Sequence, residues 1–255
     1  MAIVVLTSAG NAPGVTTTAL GLALTWPRPV LLVDADRTPT QAVLAGYLRG
    51  EHPGQRGLGR LLQATRERRP LAELLDDETI ELPPLRPVDV PTRFLPGFPH
   101  PGVVGLFGSA WPDLMDALAA DDRDVLIDAG RIGVEGLPAP LMQQADQILV
   151  VTRTSLVALA GLRLYLPMVA ETSTETALVL VGSGMPYSRA EVQGQFATTI
   201  AAEVAHAPAP AAVLSDGGRP PRRFGDSSYV RSLRAAATSI VGRLDATREL
   251  IGARP

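Results

Sequence analysis

The chain has 255 residues, of which 46% are hydrophobic and 19% charged, so it can bury a sizeable core and does not resemble a disordered or fibrous protein. The formal net charge of −3 gives no overall attraction to nucleic acid or to anionic lipid, and neither partner is indicated. The absence of cysteine excludes disulfides and thiolate metal sites, and the three histidines have no metal-ligand spacing. All 23 cationic side chains are arginine, which excludes any mechanism that needs a lysine of this chain.

Hydropathy along the chain gives no sign of a membrane or export segment. No apolar run reaches the roughly 18–20 residues of a membrane span, and residues 1–6 lack the basic start of a secretory signal. We therefore expect a cytoplasmic protein.

Short runs of Val, Ile and Leu alternate with longer segments of helical period. The predicted strands lie at residues 3–6, 30–33, 103–107, 124–127, 147–151, 177–181 and, more weakly, 211–214. The predicted helices lie at residues 16–24, 39–48, 111–120, 138–143, 155–170, 189–203 and 229–251. Continuous apolar runs are typical of strands buried on both faces of a parallel sheet. The pattern predicts an α/β fold with a doubly wound, mostly parallel sheet flanked by helices.

Residues 51–101 form the least regular stretch, rich in proline and in charge runs. We predict a surface excursion there, with short helices at 58–64 and 71–75, inside a single domain that spans residues 1–255.

The turn after the first predicted strand carries the strongest functional signal. Residues 8–16 read Ser-Ala-Gly-Asn-Ala-Pro-Gly-Val-Thr and lead into a predicted helix. In a P-loop, backbone N–H groups cradle phosphates, a lysine reaches the β and γ phosphates, and a Thr or Ser hydroxyl holds magnesium. Gly14 and Thr16 stand where that pattern needs them. A tight strand-to-helix turn without a ligand would also explain the two glycines Gly10 and Gly14.

Together with residues 31–37, 125–130 and 145–152, which follow in the right order, this turn resembles the ParA and MinD branch of P-loop ATPases, whose deviant Walker A loop reads Lys-Gly-Gly-x-Gly-Lys-Thr. The resemblance implies binding of ATP or ADP with magnesium. The residues that it places in the phosphate loop are Gly10, Asn11, Ala12, Gly14, Val15, Thr16 and Thr17.

The same resemblance assigns roles to two acidic motifs. Asp36 ends an Asp-Ala-Asp motif, where the family has a carboxylate that organises the attacking water and magnesium; it is the catalytic candidate. Asp128 corresponds to the Walker B aspartate. Thr16, Asp36 and Asp128 are therefore the candidate magnesium ligands. A solvated carboxylate or a helix cap is the alternative for each aspartate.

The departures from the motif carry the functional argument. Gly10 replaces the signature lysine and Val15 the P-loop lysine, while Pro13 removes one N–H donor. Each lost charge-assisted hydrogen bond to phosphate costs about 1.5–3 kcal/mol, so the loop should bind triphosphate weakly. Loss of the signature lysine also puts ATP-driven dimerisation in doubt. Arg37 and Arg131, beside the acidic motifs, are the nearest substitutes in sequence.

Two further segments bear on partners. Residues 181–184 lack the Asn or Arg with which the family helps to hold the base. The arginines near the last predicted helix could contact phosphates, but a solvated face is favoured, and core packing is favoured over a membrane-binding tail for residues 229–251.

These observations leave two hypotheses. The first is a ParA/MinD-like positioning protein that recruits an unidentified protein partner, with a possible homodimer and weak or no ATP hydrolysis. The second is a slow magnesium-dependent ATPase in which an arginine replaces the missing lysine.

Overall fold

The computed structural model describes residues 1–11, 13–52, 56–171 and 174–252. Within these residues, eight strands form one sheet in the order β3-β4-β2-β5-β1-β6-β7-β8. The strands are β1 (Ile3–Ser8), β2 (Val30–Asp34), β3 (Ile80–Leu82), β4 (Thr92–Leu95), β5 (Asp124–Arg131), β6 (Gln147–Arg153), β7 (Glu175–Val181) and β8 (Thr199–Val204). Only the β3–β4 pair is antiparallel among the strand pairs of the described chain. The predicted α/β fold with a mostly parallel sheet is confirmed.

Helices connect the parallel strands and cover the sheet. The α-helices of the described residues are α1 (Val15–Ala23), α2 (Leu58–Arg66), α3 (Pro101–Val104), α4 (Trp111–Ala119), α5 (Ala139–Gln144), α6 (Leu156–Tyr165), α7 (Pro167–Ala170), α8 (Arg189–Gln195), α9 (Pro208–Ser215) and α10 (Ser228–Gly252). A π-helical segment covers Val43–Tyr47, and short 3-10 segments cover Leu71–Glu73, Gly105–Ala110 and Phe224–Asp226.

Each central strand of the sheet contributes side chains to two hydrophobic cores, because successive side chains point to opposite faces of the sheet. In β1, Val4 and Leu6 pack with α1 and α10, whereas Ile3 and Val5 pack on the other face with α4 and α6. This double burial explains why the strands read as continuous apolar runs.

The last helix packs in the core, as the sequence favours. Tyr229, Val230, Leu233 and Ile240 of α10 are buried in the cluster that includes α1. The two helices approach closely at Gly21, where a Cβ atom would lie 2.6 Å from the Cδ1 atom of Leu233. Throughout the described ranges, no helix combines the length and the apolar character that a membrane crossing requires.

Two predicted strands are wrong. Residues 103–107 and 211–214 are helical, in α3 with its 3-10 continuation and in α9. Pro101 and Pro208 each stand in the first turn of these helices. There a fixed φ and a missing N–H favour a helix start, which the short apolar runs that follow do not reveal.

Three strands escaped prediction. The predicted helix at 189–203 ends at Gln195 and is followed by β8, whose Ile200 pairs with Leu178 of β7. The predicted irregular excursion at 51–101 is wrong in that it contains β3 and β4, an edge pair of the main sheet, besides α2. Glu81 faces Arg93 across this pair, and such polar residues interrupt the apolar signal.

A buried carboxylate ties the amino-terminal end of the sheet together. Asp124, 2% exposed at the start of β5, accepts hydrogen bonds at 2.8 Å from the Ala2 N–H and at 2.8 Å from the Trp26 indole N–H. The guanidinium of Arg28 also donates to Asp124 and pairs with Asp245 of α10 at 2.9 Å. One side chain thus links β1, β5, the α1–β2 connection and the last helix.

We expect Asp124→Asn to lower the free energy of unfolding by about 2–3 kcal/mol, because its amide group would face N–H donors and leave buried partners unpaired. Urea unfolding followed by circular dichroism measures the change. Asp122→Asn, at an exposed carboxylate nearby, is the matched control and should stay within about 0.5 kcal/mol of the parent. Equal stability of both variants would contradict the role of Asp124.

Candidate functional site

The turn between β1 and α1 contains several residues with positive φ. Gly10, Asn11 and Gly14 have φ values of 129°, 60° and 87°. Gly14 is the N-cap of α1, and no side chain caps the first N–H groups of this helix. Uncapped N–H groups at a helix start, turned to one side by a positive-φ residue, can form a concavity for anions.

The side chain of Val15 does not enter this concavity. Val15 is 7% exposed and belongs to the apolar core beneath α1. Pro13 is also buried and has no N–H to donate. At the position that the sequence comparison aligns with the P-loop lysine, the structure therefore has a buried core residue. Of the other predicted loop residues, Thr16 and Thr17 lie in the first turn of α1, and Ala12 lies outside the described residues.

Asn11 fastens the loop to a neighbouring helix. Its side-chain amide donates to the Val157 carbonyl oxygen of α6 at 3.2 Å, and a Cβ atom on Gly161 would lie 3.3 Å from the same amide nitrogen. The residue at a predicted phosphate-loop position thus makes a structural contact with α6.

The structure brings the acidic residues together beside the loop. Asp34 and Asp128 are register partners at the ends of the adjacent strands β2 and β5. Asp34 accepts from the Asp36 N–H at 3.2 Å, and Asp36 accepts from the Thr38 N–H at 2.8 Å. Asp128 accepts from the Gly130 N–H at 3.1 Å.

Burial dominates the protonation of this group. It raises the pKa of Asp34 to about 8, and the negative charge of Asp128 adds to the rise. Burial also raises the pKa of Asp128 to about 6, although the nearby Thr16 hydroxyl and the Gly130 N–H lower it. The pKa of Asp36 is raised by burial, against the influence of the Thr38 N–H and of Arg131.

Magnesium would fit only part of this arrangement. The Oδ2 atom of Asp128 is buried without a hydrogen-bond partner among the described residues, and the Thr16 hydroxyl is nearby. Yet no cluster of three or more Asp, Glu, His or Cys in those residues is arranged to hold a metal ion. Magnesium in proteins is usually held by one or two carboxylates together with substrate phosphates, so this site would depend on a bound nucleotide.

The arginines named as lysine substitutes differ in their roles. The guanidinium of Arg37 donates to the Ile132 carbonyl oxygen at 2.9 Å and to that of Gly136, so it is committed to the loop after β5. Arg131 is exposed, and the charges of Arg131 and Arg37 both lower the pKa of Asp36. Because carbonyl oxygens already occupy the Arg37 guanidinium, Arg131 is the better placed of the two.

Sequence analysis missed a third arginine. Arg153, at the carboxyl end of β6, lines a cavity of about 270 Å³ together with Gly14 and Thr17. Its guanidinium makes no ion pair with any described residue. Its position at the carboxyl end of a parallel strand was the available signal. His206 lines the same cavity, and no Asn or Gln of the described chain does, which agrees with the missing base-binding amide.

The raised carboxyl pKa values predict how stability depends on pH. An aspartate of the unfolded chain titrates near a pKa of about 3.9, so the folded protein binds more protons than the unfolded chain between about pH 4 and pH 8. The free energy of unfolding should therefore fall as the pH rises through this window. Urea unfolding between about pH 5 and pH 8 should show a shallower fall for Asp34→Asn than for the parent or for Asp113→Asn, an exposed control. A parent stability that rises over this range would contradict the assignment.

No protein-family model matches the chain, and no curated protein is similar to it in sequence. Solved structures do match. The septum site-determining protein MinD of Pyrococcus horikoshii OT3, complexed with Mg-ADP, is 17% identical, with a TM-score of 0.70 over 94% of this chain and 95% of that one. A ParA family ATPase of Chlorobium tepidum TLS is 14% identical, with a TM-score of 0.71 over 93% and 97% of the two chains. MinD in the MinC:MinD cell division complex of Aquifex aeolicus is 16% identical, with a TM-score of 0.70 over 95% and 96%. The chain thus has the fold of the MinD and ParA-family ATPases.

Proposed function

We propose that this chain is a ParA/MinD-like positioning protein of the cytoplasm that acts mainly as a partner-recruiting scaffold or dimerisation module, with weak or no ATP hydrolysis. Near-complete coverage in both directions by MinD and ParA structures supports the kinship. The burial of Val15 carries the functional part of the proposal.

Val15 is decisive because a phosphate loop works through charge that its lysine brings to the β and γ phosphates. A valine packed in the core supplies none, and no neighbouring lysine can, since the chain has none. Because Pro13 has no N–H and Val15 has no charge, a bound triphosphate would rely on a reduced set of backbone N–H groups.

A protein partner suits the surface beside the loop. Leu156 and Leu164 of α6 are 66% and 74% exposed, and Val157, to which Asn11 is bonded, is 66% exposed. Apolar side chains grouped at the surface commonly mark protein contacts. The Aquifex MinD of similar fold was solved as a complex with MinC.

Nucleotide binding tests the proposal directly. We expect the parent to show no saturable binding of a fluorescent ATP analogue with magnesium in the micromolar range. Pro13→Gly should restore one N–H donor, and Val15→Lys introduces a charge that is costly to keep in the core, so its longer side chain should extend out of the core toward the loop. Together the two changes should tighten binding at least about tenfold. Pro13→Gly with Val15→Met is the matched control without the charge. Micromolar binding by the parent that is lost in Thr16→Ala would overturn the scaffold function.

A slow magnesium-dependent ATPase is the second candidate, and two observations favour it. The Oδ2 atom of Asp128 has no hydrogen-bond partner among the described residues, and the Thr16 hydroxyl contacts the same carboxyl group, which would suit a magnesium site. Arg153 brings a free guanidinium to the cavity that includes Gly14 and Thr17. In such an ATPase, Arg153 would take the place of the missing lysine.

Phosphate release separates the two functions. The scaffold function predicts that the purified parent releases phosphate from Mg-ATP no faster than Asp128→Asn does. A parent rate that falls at least about tenfold in both Asp128→Asn and Arg153→Ala would favour the ATPase. Arg66→Ala, at an exposed arginine remote from the loop, is the control and should leave any rate unchanged.

A further inference from the structure

A second and larger cavity lies away from the phosphate loop. It has a volume of about 610 Å³ and is formed by the residues that follow the π-helical segment, by the proline-rich residues 83–87 and by residues 220–226. It shares no lining residue with the cavity that contains Gly14. Helix α9 separates the two, with Val213 facing the larger cavity and Ala211 the smaller one. Its volume is within the range of small-molecule sites, which is roughly 300–1,000 Å³.

The walls of this cavity are held in place by specific contacts. Arg86 pairs with Asp89 at 3.0 Å on its own wall and reaches Asp226 on the opposite wall at 3.5 Å. A Cβ atom on Gly225 would lie 2.7 Å from the Leu85 carbonyl oxygen, so glycine allows the two walls to meet. The Tyr47 hydroxyl donates to the Pro83 carbonyl oxygen. A cavity with braced walls is preformed rather than a product of loose packing.

Two arginines in the lining remain uncommitted. Arg49 and Arg223 make no ion pair with any described residue, whereas Arg86 and Arg234 together are balanced by Asp89 and Asp226. Glu51 and His52 line the cavity as well. The unpaired charged residues of the lining are Arg49, Arg223 and Glu51, and their formal charges sum to +1.

Both arginines also adopt an uncommon backbone conformation. Their φ values are 54° for Arg49 and 59° for Arg223, in the left-handed region that non-glycine residues seldom occupy. Arg49 follows the π-helical segment Val43–Tyr47, a type of distortion that is frequent at functional sites. Local strain of this kind collects at ligand sites, where it fixes the direction of a side chain.

The floor of the cavity is apolar. Leu48, Val213 and Phe224 are buried at 4%, 7% and 6% exposure and line the interior. A ligand in this cavity would thus meet both buried apolar side chains and the two exposed arginines of the lining. Guanidinium groups bind carboxylate and phosphate oxygens through paired, charge-assisted hydrogen bonds.

We propose that this cavity is a second ligand site, which binds a small organic anion with an apolar body. Arg49 and Arg223 hold the anionic group, a carboxylate or a phosphate monoester, and the apolar floor holds the body. The site is independent of the nucleotide loop and does not rest on the function proposed above.

Titration with 8-anilinonaphthalene-1-sulfonate, a fluorescent aromatic anion, tests the site in the full chain. We expect saturable binding that weakens at least about tenfold in Arg49→Asn with Arg223→Asn. Asparagine tolerates the left-handed backbone, so the fold should persist, which circular dichroism checks. The matched control is Arg219→Asn with Arg222→Asn, at two exposed arginines of the same segment that lie outside the lining. It should change the affinity less than about twofold.

Four comparisons decide the proposal. Equal weakening in both double variants would overturn it, as would equally tight binding of the uncharged N-phenyl-1-naphthylamine. Displacement of the dye by octanoate or by octyl phosphate supports the site and tells carboxylate from phosphate recognition, and failure of both overturns it. Displacement by ADP that is equally effective in Arg49→Asn with Arg223→Asn would place the dye in the nucleotide loop and overturn the proposal, whereas a failure of the nucleotide-binding experiments leaves the cavity unaffected.

Discussion

The need to bury both faces of one parallel sheet determines where this protein can carry polar chemistry. Strand interiors are apolar on both sides, so polar and charged residues gather where strands end. The order β2-β5-β1-β6 makes four such ends neighbours. Asp34, Asp128, the loop after Ser8 and Arg153 therefore meet at one edge although more than a hundred residues separate the first from the last.

The candidate site has two parts with different character. The acidic part contains Asp34, Asp36 and Asp128, whose carboxyl pKa values are raised by burial. The turn between β1 and α1 has positive-φ residues and a core valine at position 15. A buried carboxylate pair needs either protons or a cation for compensation. With its pKa raised to about 8, Asp34 favours the protonated form at neutral pH, which reduces its repulsion with Asp128.

Much of the architecture could be predicted from the sequence. The strands β1, β2, β5, β6 and β7 are apolar runs between turn residues, and the order of the motifs places Gly14, Thr16 and Asp128 at their ends. The edge strand β3 and its neighbour β4 could not be found this way, because Glu81 and Arg93, which face each other across the two strands, interrupt the short apolar runs.

The side-chain contacts at the site could not be predicted from the sequence. A motif gives the position of Val15 but not the packing of its side chain beneath α1. Arg37 follows the acidic motif directly in sequence, but its guanidinium is bonded to carbonyl oxygens of the loop after β5. Arg153 is more than a hundred residues away in sequence, yet it lines the cavity that contains Gly14. Proximity in three dimensions depends on the crossover connections between strands, and spacing along the chain does not report it.

The buried valine has a consequence for how the folded state depends on its surroundings. The lysine of a phosphate loop is a positive charge that is neutralised only when a nucleotide binds. Such proteins become more stable as the nucleotide concentration rises, because the ligand binds the folded state. Here position 15 already contributes its packing energy in the empty protein. On the scaffold function proposed above, the stability of the folded state would therefore not depend on the concentration of ATP.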